Sequence, residues 1–254
     1  MTILLTNDDG FASEGIIKLA DSLRAEGKHR VLVFAPDSNR SGISHALSLL
    51  YAPVQITKTG EDSWKCSGNP ADCVIVAMRG GIPVVPDLVL SGINQGENLG
   101  TDLVYSGTAA AARQASIMGV PSIALSLAGG NGVFYWDMAA AWVTQHLEQL
   151  RSYWKKDSFV NVNIPNRKAG PEGLRIAPPG IKAYQNTLTF IDSADGSRWC
   201  AMDFMNGVSK AQAGSDCDVV SRNFASVSSV YNYPVESFDS STSAHSSGAE
   251  QGSR

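Results

Sequence analysis

Short runs of hydrophobic residues alternate along the first two thirds of the chain with segments whose apolar positions follow the helical period. Residues 3–6 and 31–35 are runs typical of strands that are buried on both faces. Between these runs, Ser13 is placed to cap a helix and Gly27 to end it. One face of that helix carries four apolar side chains, namely Ile16, Leu19, Ala20 and Leu23. The order strand, helix, strand predicts a parallel crossover unit.

The same alternation continues to about residue 165. Further strands are predicted at residues 87–91, 121–126 and 159–164. Further helices are predicted to begin at Pro70, with Asn69 as the cap, near Ser106-Gly107-Thr108, and at Trp136. Alternating strands and helices of these lengths predict an α/β fold with a mostly parallel sheet between helices.

The pattern changes after about residue 180. Two β-prone segments, Thr187–Asp192 and Arg198–Asp203, flank the turn residues 194–197 and predict a β-hairpin. Another strand is predicted near Ala225–Tyr231. Residues 235–254 are dominated by Ser, Gly and small polar residues, and we expect this tail to be disordered or weakly held.

The composition excludes several classes of protein. Hydrophobic residues make up 43% of the 254 residues, enough for one large domain or a core with an appendage, and the net charge of −4 argues against a surface for nucleic-acid polymers. No apolar run approaches the ~20 residues of a membrane-spanning helix, and we see no signal peptide. The four cysteines, Cys66, Cys73, Cys200 and Cys217, lack metal-ligand spacing. We therefore expect free thiols in a cytoplasmic protein.

Two adjacent carboxylates follow the first predicted strand, in the sequence Asn7-Asp8-Asp9-Gly10. Each repels the other, and burial at the end of a strand disfavours both charges. A bound cation would resolve both problems. The alternative is an ordinary turn, in which an Asp bonds its own backbone and Gly10 takes a positive φ.

Polar loops follow three separate predicted strands, at residues 7–9, 36–42 and 91–100. In a parallel sheet these loops emerge at one edge, so residues distant in sequence meet there. Their candidate ligands are carboxylate, hydroxyl and amide oxygens, which suit Mg²⁺, Mn²⁺ or Ca²⁺ better than Zn²⁺. The convergence of the loops favours a metal site over a simple turn.

The start of the helix near residue 107 is a second candidate for ligand binding. Backbone N–H groups and the helix dipole at Ser106, Gly107 and Thr108 would attract a phosphate group. Capping of the helix by Ser106 or Thr108 is a compatible alternative. Arg40 is the cation inside the polar loops, so it is either a bidentate phosphate ligand or a solvated side chain.

Several of these segments resemble the SurE family of survival proteins, which are nucleotidases. They occur in family order over roughly residues 1–180: ILLTNDDG at 3–10, APDSNRSG at 35–42, PADCV at 70–74, SGINQGENLG at 91–100, YSGT at 105–108 and NVNIP at 161–165. The resemblance implies a Rossmann-like α/β core over residues 1–180. It also implies a β-rich hairpin extension over residues 181–234 that assembles a homodimer or homotetramer.

The resemblance further implies a set of site residues. One divalent cation is expected on Asp8, Asp9, Ser41 and Asn94. The expected ion is Mg²⁺ or Mn²⁺, and Ca²⁺ is a third ion that this site would bind. Phosphate contacts are expected from Asn7, Asn98, Ser106, Gly107 and Thr108. The implied reaction is hydrolysis of nucleoside 5′- and 3′-monophosphates, or of other small phosphomonoesters.

The chain departs from the family pattern mainly at its end. Asn69 stands where Thr is frequent, residues 223–230 replace a differently composed strand, and the Ser-rich tail replaces a common C-terminal helix. These departures leave the expected metal site intact. They bear on the substrate preference and on the number of subunits.

The catalytic hypothesis assigns roles to Asp8, Asp9 and Asn98. One of the two acids orients a water for in-line attack on phosphorus or accepts its proton, while Asn98 and the helix N-terminus hold the phosphoryl oxygens. Attack by an Asp to form an aspartyl-phosphate is the other route. Two alternative functions are a nucleotide-binding regulator without turnover and a flavodoxin-like or response-regulator-like module. The chain lacks the Lys that a phospho-receiver carries in a late strand-end loop.

Overall fold

A nine-stranded sheet lies at the centre of the computed structural model, which describes residues 1–129, 132–184, 186–203, 208–209 and 212–234. The strands in these ranges are β1 Thr2–Thr6, β2 Arg30–Pro36, β3 Ile56–Gly60, β4 Ser63–Cys66, β5 Leu88–Gln95, β6 Ser122–Ala128, β7 Ser158–Pro165, β8 Leu174–Ile176, β9 Lys182–Ala183, β10 Thr187–Asp192, β11 Arg198–Asp203, β12 Val208–Ser209 and β13 Ala225–Tyr231. The α-helices are α1 Glu14–Ala25, α2 Pro70–Val76, α3 Gly107–Ile117, α4 Trp136–Ser152 and α5 Asp216–Ser221. None of the described helices meets the length and hydropathy that crossing a bilayer requires.

The sheet is parallel through its centre, in the order β3-β4-β2-β1-β5-β6-β7-β13-β8. β1 pairs in parallel with β2 on one side and with β5 on the other. β6 and β7 continue the parallel arrangement, and β3 is antiparallel to β4. The predicted mostly parallel α/β sheet flanked by helices is confirmed. Because β1, β2 and β5 run the same way, the loops after them leave from one edge.

Helices cover both faces of the sheet because neighbouring strand residues point in opposite directions. On β1, Ile3 and Leu5 pack with α1 and α4, while Leu4 packs with α2 and α3 in a second cluster. The predicted face of α1 is buried in the first cluster, with Ile16, Leu19, Ala20 and Leu23 between 0 and 3% exposed. Two apolar layers therefore hold the sheet edge in a fixed position.

The region after residue 180 contains the predicted hairpin. β10 and β11 pair antiparallel with Phe190 opposite Cys200, in a sheet separate from the central one. β13 lies elsewhere, since it joins the central sheet antiparallel to β7 and pairs with β8. The division into residues 1–180, 181–234 and 235–254 stays a prediction, and the expected disordered tail falls outside the described residues.

Two other details differ from the sequence prediction. β5 continues beyond Ser91 to Gln95, because residues 94 and 95 pair with β6 after an irregularity in the register. The segment after it, expected as a long polar loop, includes a 3-10 helix at Gly100–Val104.

Gly15 provides a test of how closely α1 packs on β5. A Cβ at this position would lie 1.9 Å from the Ile93 carbonyl oxygen, which is backbone. We therefore expect Gly15→Ala to lower the free energy of unfolding by about 1–3 kcal/mol, although Ala favours helices. Denaturant unfolding measures the change. Gly60→Ala is the control, because its nearest new neighbour is the Ser63 Cβ at 3.5 Å. Equal stability of the two variants would contradict the close packing.

Candidate active site

Asn7 forms the turn that follows β1. Its side-chain amide donates to the Gly10 carbonyl oxygen at 2.9 Å and to the Ser13 hydroxyl at 2.7 Å, and it accepts from the Gly10 N–H at 3.2 Å. Gly10 has φ +102°, which the turn requires. Gly10 therefore has the positive φ expected of an ordinary turn, but the side chain that bonds the backbone of this turn is Asn7 and not an Asp. The two acids that follow are left to contact other elements.

Asp8 is buried against the start of α3, with 3% of its surface exposed. Its Oδ2 accepts from the Thr108 backbone N–H at 3.0 Å, and its Oδ1 accepts from the Thr108 hydroxyl. Burial raises the pKa of Asp8, and the two bonds from Thr108 lower it in part. Gly107 permits this approach, since a Cβ there would lie 2.8 Å from the Asp8 Cβ.

Asp9 joins the end of β1 to the end of β5. Its Oδ2 accepts from the Gln95 backbone N–H at 2.9 Å. The pKa of Asp9 is raised to about 6, mainly by burial and to a smaller extent by the charge of Asp8, while the hydrogen bond from Gln95 opposes the rise. None of the ion pairs among the described residues includes Asp8 or Asp9. A buried acid, Asp8, and a partly buried one, Asp9, thus lie side by side without a cationic side chain from the described residues.

Neutral oxygen donors lie near these acids. The loop after β2 packs on the first loop through the Arg40 N–H, which donates to the Asp8 carbonyl oxygen at 2.7 Å. Ser41 from that loop and Asn94 from the end of β5 line the same cavity as Asp8. Across the described ranges, no cluster has three or more His, Cys, Asp or Glu side chains arranged for a metal. The donor set of two acids with Ser and Asn oxygens fits a hard cation that keeps several waters.

The cavity has a volume of about 870 Å³, within the range of small-molecule sites. Five predicted site residues line it: Asp8, Ser41, Asn94, Asn98 and Ser106. The cavity wall also contains seven residues that the sequence did not assign to the site: Thr101, Asp102, Tyr105, Lys182, Tyr184, Asn186 and Met202. Four of these seven lie after residue 180, beyond the segments that carry the family resemblance.

Asn98 is held in the cavity wall by β6 and β7. Its backbone N–H donates to the Asn163 side chain at 2.8 Å, and its carbonyl oxygen accepts from the Asn161 and Asn163 side chains at 2.9 and 3.1 Å. Its own amide nitrogen donates to the Ser126 hydroxyl at 2.9 Å. This network fixes one end of the loop that follows β5.

Other predicted site residues are not among those that line the cavity. The Arg40 guanidinium donates to the Asp37 carboxylate at 3.3 Å and to the Ser67 carbonyl oxygen at 3.1 Å. Gly107 and Thr108 contact Asp8, and Asn7 holds the turn. Ser106 caps α3, since its hydroxyl accepts from the Ala109 N–H at 3.0 Å, and it also lines the cavity. Capping and ligand contact are thus compatible at Ser106.

Asp216 is another residue that the sequence pattern did not single out. Its carboxylate accepts from the Gly100 N–H at 2.9 Å and from the Gly180 N–H at 2.7 Å. It thereby joins the loop after β5 to the segment that carries Lys182. Only the folded topology reveals this role, because residues 100, 180 and 216 belong to no common local motif.

Thr108→Val tests the support of Asp8 by α3. The substitution removes the hydroxyl donor and keeps a similar side-chain shape. Because the hydrogen bond favours the charged carboxylate, we expect the pKa of Asp8 in metal-free protein to rise above its value in the wild type. Carboxyl-carbon NMR measures the titration, and Thr108→Ser, which keeps the donor, is the control. A pKa of Asp8 that does not change in Thr108→Val would contradict the contact.

Comparisons with known proteins identify the relatives of this chain. A family model described as "Survival protein SurE" matches residues 3–186. A protein named 5′-nucleotidase SurE from Syntrophotalea carbinolica is 37% identical over 240 residues, which is 91% of this chain and 91% of that protein. Its namesake from Desulfitobacterium hafniense is 43% identical over 74% of both chains. A crystal structure of the SurE protein from Aquifex aeolicus superposes with a TM-score of 0.80 at 33% identity, covering 92% of this chain and 95% of that one.

Proposed function

Because this chain belongs to the SurE family, we propose that it is a metal-dependent phosphatase that hydrolyses nucleoside 5′-monophosphates to nucleoside and phosphate. The predicted enzyme class agrees with the name 5′-nucleotidase carried by its relatives. Other small phosphomonoesters and 3′-monophosphates are included in the proposal, as the sequence resemblance implies. Cytoplasmic location stays a prediction.

The buried Asp8 carboxylate carries this proposal. It lies on the wall of a nucleotide-sized cavity, beside Asp9, and pairs with no cationic side chain among the described residues. Asp8, Asp9, Ser41 and Asn94 are the residues that would hold one divalent cation, Mg²⁺ or Mn²⁺. When bound, the cation supplies positive charge against the phosphoryl oxygens of the substrate and stabilises the transition state.

The side chains of the cavity supply the remaining functions. Asn98 and Ser106 present amide and hydroxyl groups to the phosphoryl group, next to the positive end of the α3 dipole. Asp8 or Asp9 orients the attacking water or accepts its proton.

The hairpin supports the predicted assembly into a homodimer or homotetramer. In β10 and β11, large apolar side chains are at least half exposed: Leu188, Phe190, Ile191 and Trp199. Exposed apolar surface of this kind marks protein interfaces. We infer that copies of the chain associate through this hairpin.

Asp8→Asn tests the proposed function. The variant keeps the shape of the side chain and removes its negative charge, so we expect kcat/KM for phosphate release from AMP with Mg²⁺ or Mn²⁺ to fall by about 100-fold or more. Circular dichroism verifies the fold, and Asp137→Asn at an exposed ion pair is the control.

Two outcomes would contradict the proposal. One is an Asp8→Asn variant as active as the wild type. The other is full wild-type activity after exhaustive chelation. A wild type that binds AMP and releases no phosphate with either cation would support the nucleotide-binding regulator instead.

A further inference from the structure

Lys182 places its ammonium group between two acids of the loop that carries Asn98, here called the Asn98 loop (residues 96–102). The Nζ atom lies 2.7 Å from the Asp102 Oδ2 and 3.3 Å from the Glu97 Oε1. The Lys182 side chain is 11% exposed, and it lines the cavity. Both acids are close to Asn98 in sequence, and Glu97 directly precedes it.

The segment that carries Lys182 lies directly along the Asn98 loop. The Lys182 backbone N–H donates to the Thr101 hydroxyl at 3.1 Å. At Gly100, which has φ +52°, a Cβ would lie 2.4 Å from the Gly180 carbonyl oxygen. Asp216 accepts from the N–H groups of both glycines. The loop is thus held by β6 and β7 at Asn98 and by residues 180–182 at its other end.

We propose that Lys182 is a positioning residue for the proposed reaction. It holds Asn98 in the cavity because its charge neutralises Glu97 and Asp102. The inference rests on the proposed function, since it assigns Lys182 a purpose only if Asn98 contacts the phosphoryl group. It adds to the proposed catalytic assembly a residue that none of the sequence motifs singled out.

Electrostatics supplies the reason. Without the ammonium group, two partly buried carboxylates that now share one partner would face each other and repel. The Asp102 Oδ1 already has no hydrogen-bond partner among the described residues. The Asn98 loop would relieve the repulsion by moving apart, and a small displacement of a group that contacts the transition state costs a large factor in rate.

Direct contact between Lys182 and the substrate is the competing explanation. Two carboxylates surround the ammonium group, so the three side chains together carry a net negative charge and attract no additional phosphate. A positioning role predicts the same loss for every phosphate ester. Contact with the nucleoside predicts a loss only for nucleotides.

The experiment compares Lys182→Met and Lys182→Arg with the wild type on two substrates, AMP and 4-nitrophenyl phosphate, which lacks a nucleoside. We expect Lys182→Met to lower kcat about tenfold or more on both, with KM changed by less than about threefold. Lys182→Arg restores kcat to within about threefold. Lys18→Met is the matched control, because Lys18 pairs with Asp137 at 2.8 Å on an exposed surface.

A double-mutant comparison tests whether Lys182 acts through Asn98. If it does, the combined variant Lys182→Met with Asn98→Ala has the kcat of Asn98→Ala alone. Three results would each overturn the proposal. They are losses in kcat that multiply in the combined variant, an unchanged kcat in Lys182→Met, and a loss in Lys182→Met that is confined to AMP.

Hydrogen exchange separates this inference from the proposed function. We expect amides of residues 96–102 to exchange about tenfold faster in Lys182→Met than in the wild type, with other regions unchanged. Unchanged exchange in this loop overturns the positioning role, whether or not the wild type is active. Absence of phosphate release by the wild type, with faster exchange in the variant, refutes the proposed function and leaves Lys182 as the residue that holds the loop.

Discussion

The placement of two adjacent carboxylates at the carboxyl end of β1, Asp8 buried and Asp9 partly buried, is the constraint on which the rest of the site depends. Asp8 takes hydrogen bonds from Thr108 and so holds the N-terminus of α3 against the sheet. Asp9 takes the Gln95 N–H and so joins β1 to β5. The acids that are costly to bury are thus the groups that arrange the elements around the cavity. Their remaining charge, unpaired by any described Lys or Arg, is what a divalent cation would offset.

Much of this arrangement was predictable because the signals for it are local. Continuous apolar runs identify buried parallel strands, and the polar residues directly after them must lie at one sheet edge. That rule brings together Asp8, Ser41 and Asn94 from three loops, and all three line the cavity. The hairpin also followed from local signals, since turn residues 194–197 separate two β-prone segments that pair in register.

The remaining features depend on contacts between distant parts of the chain, which no local pattern reveals. Asn7 and Arg40 were predicted to contact phosphate, and the structure adds contacts within the protein: the Asn7 amide donates to Gly10 and Ser13, and one Arg40 Nη donates to Asp37 and Ser67. Lys182 and Asp216 contact the Asn98 loop only because residues 180–182 and α5 lie beside it. β13 was expected as a strand, but its place beside β7 in the central sheet follows from tertiary packing. The region after residue 180 therefore completes both the sheet and the cavity wall.

The central claim is that the acids after β1 hold a hard cation together with an oxygen from β5. Anomalous diffraction from a crystal soaked in Mn²⁺ tests this claim most directly. The account predicts one strong anomalous peak per subunit between the carboxylates of Asp8 and Asp9 and the side-chain oxygen of Asn94. A fully soaked crystal without a peak there, with both acids turned away from Asn94, would contradict it.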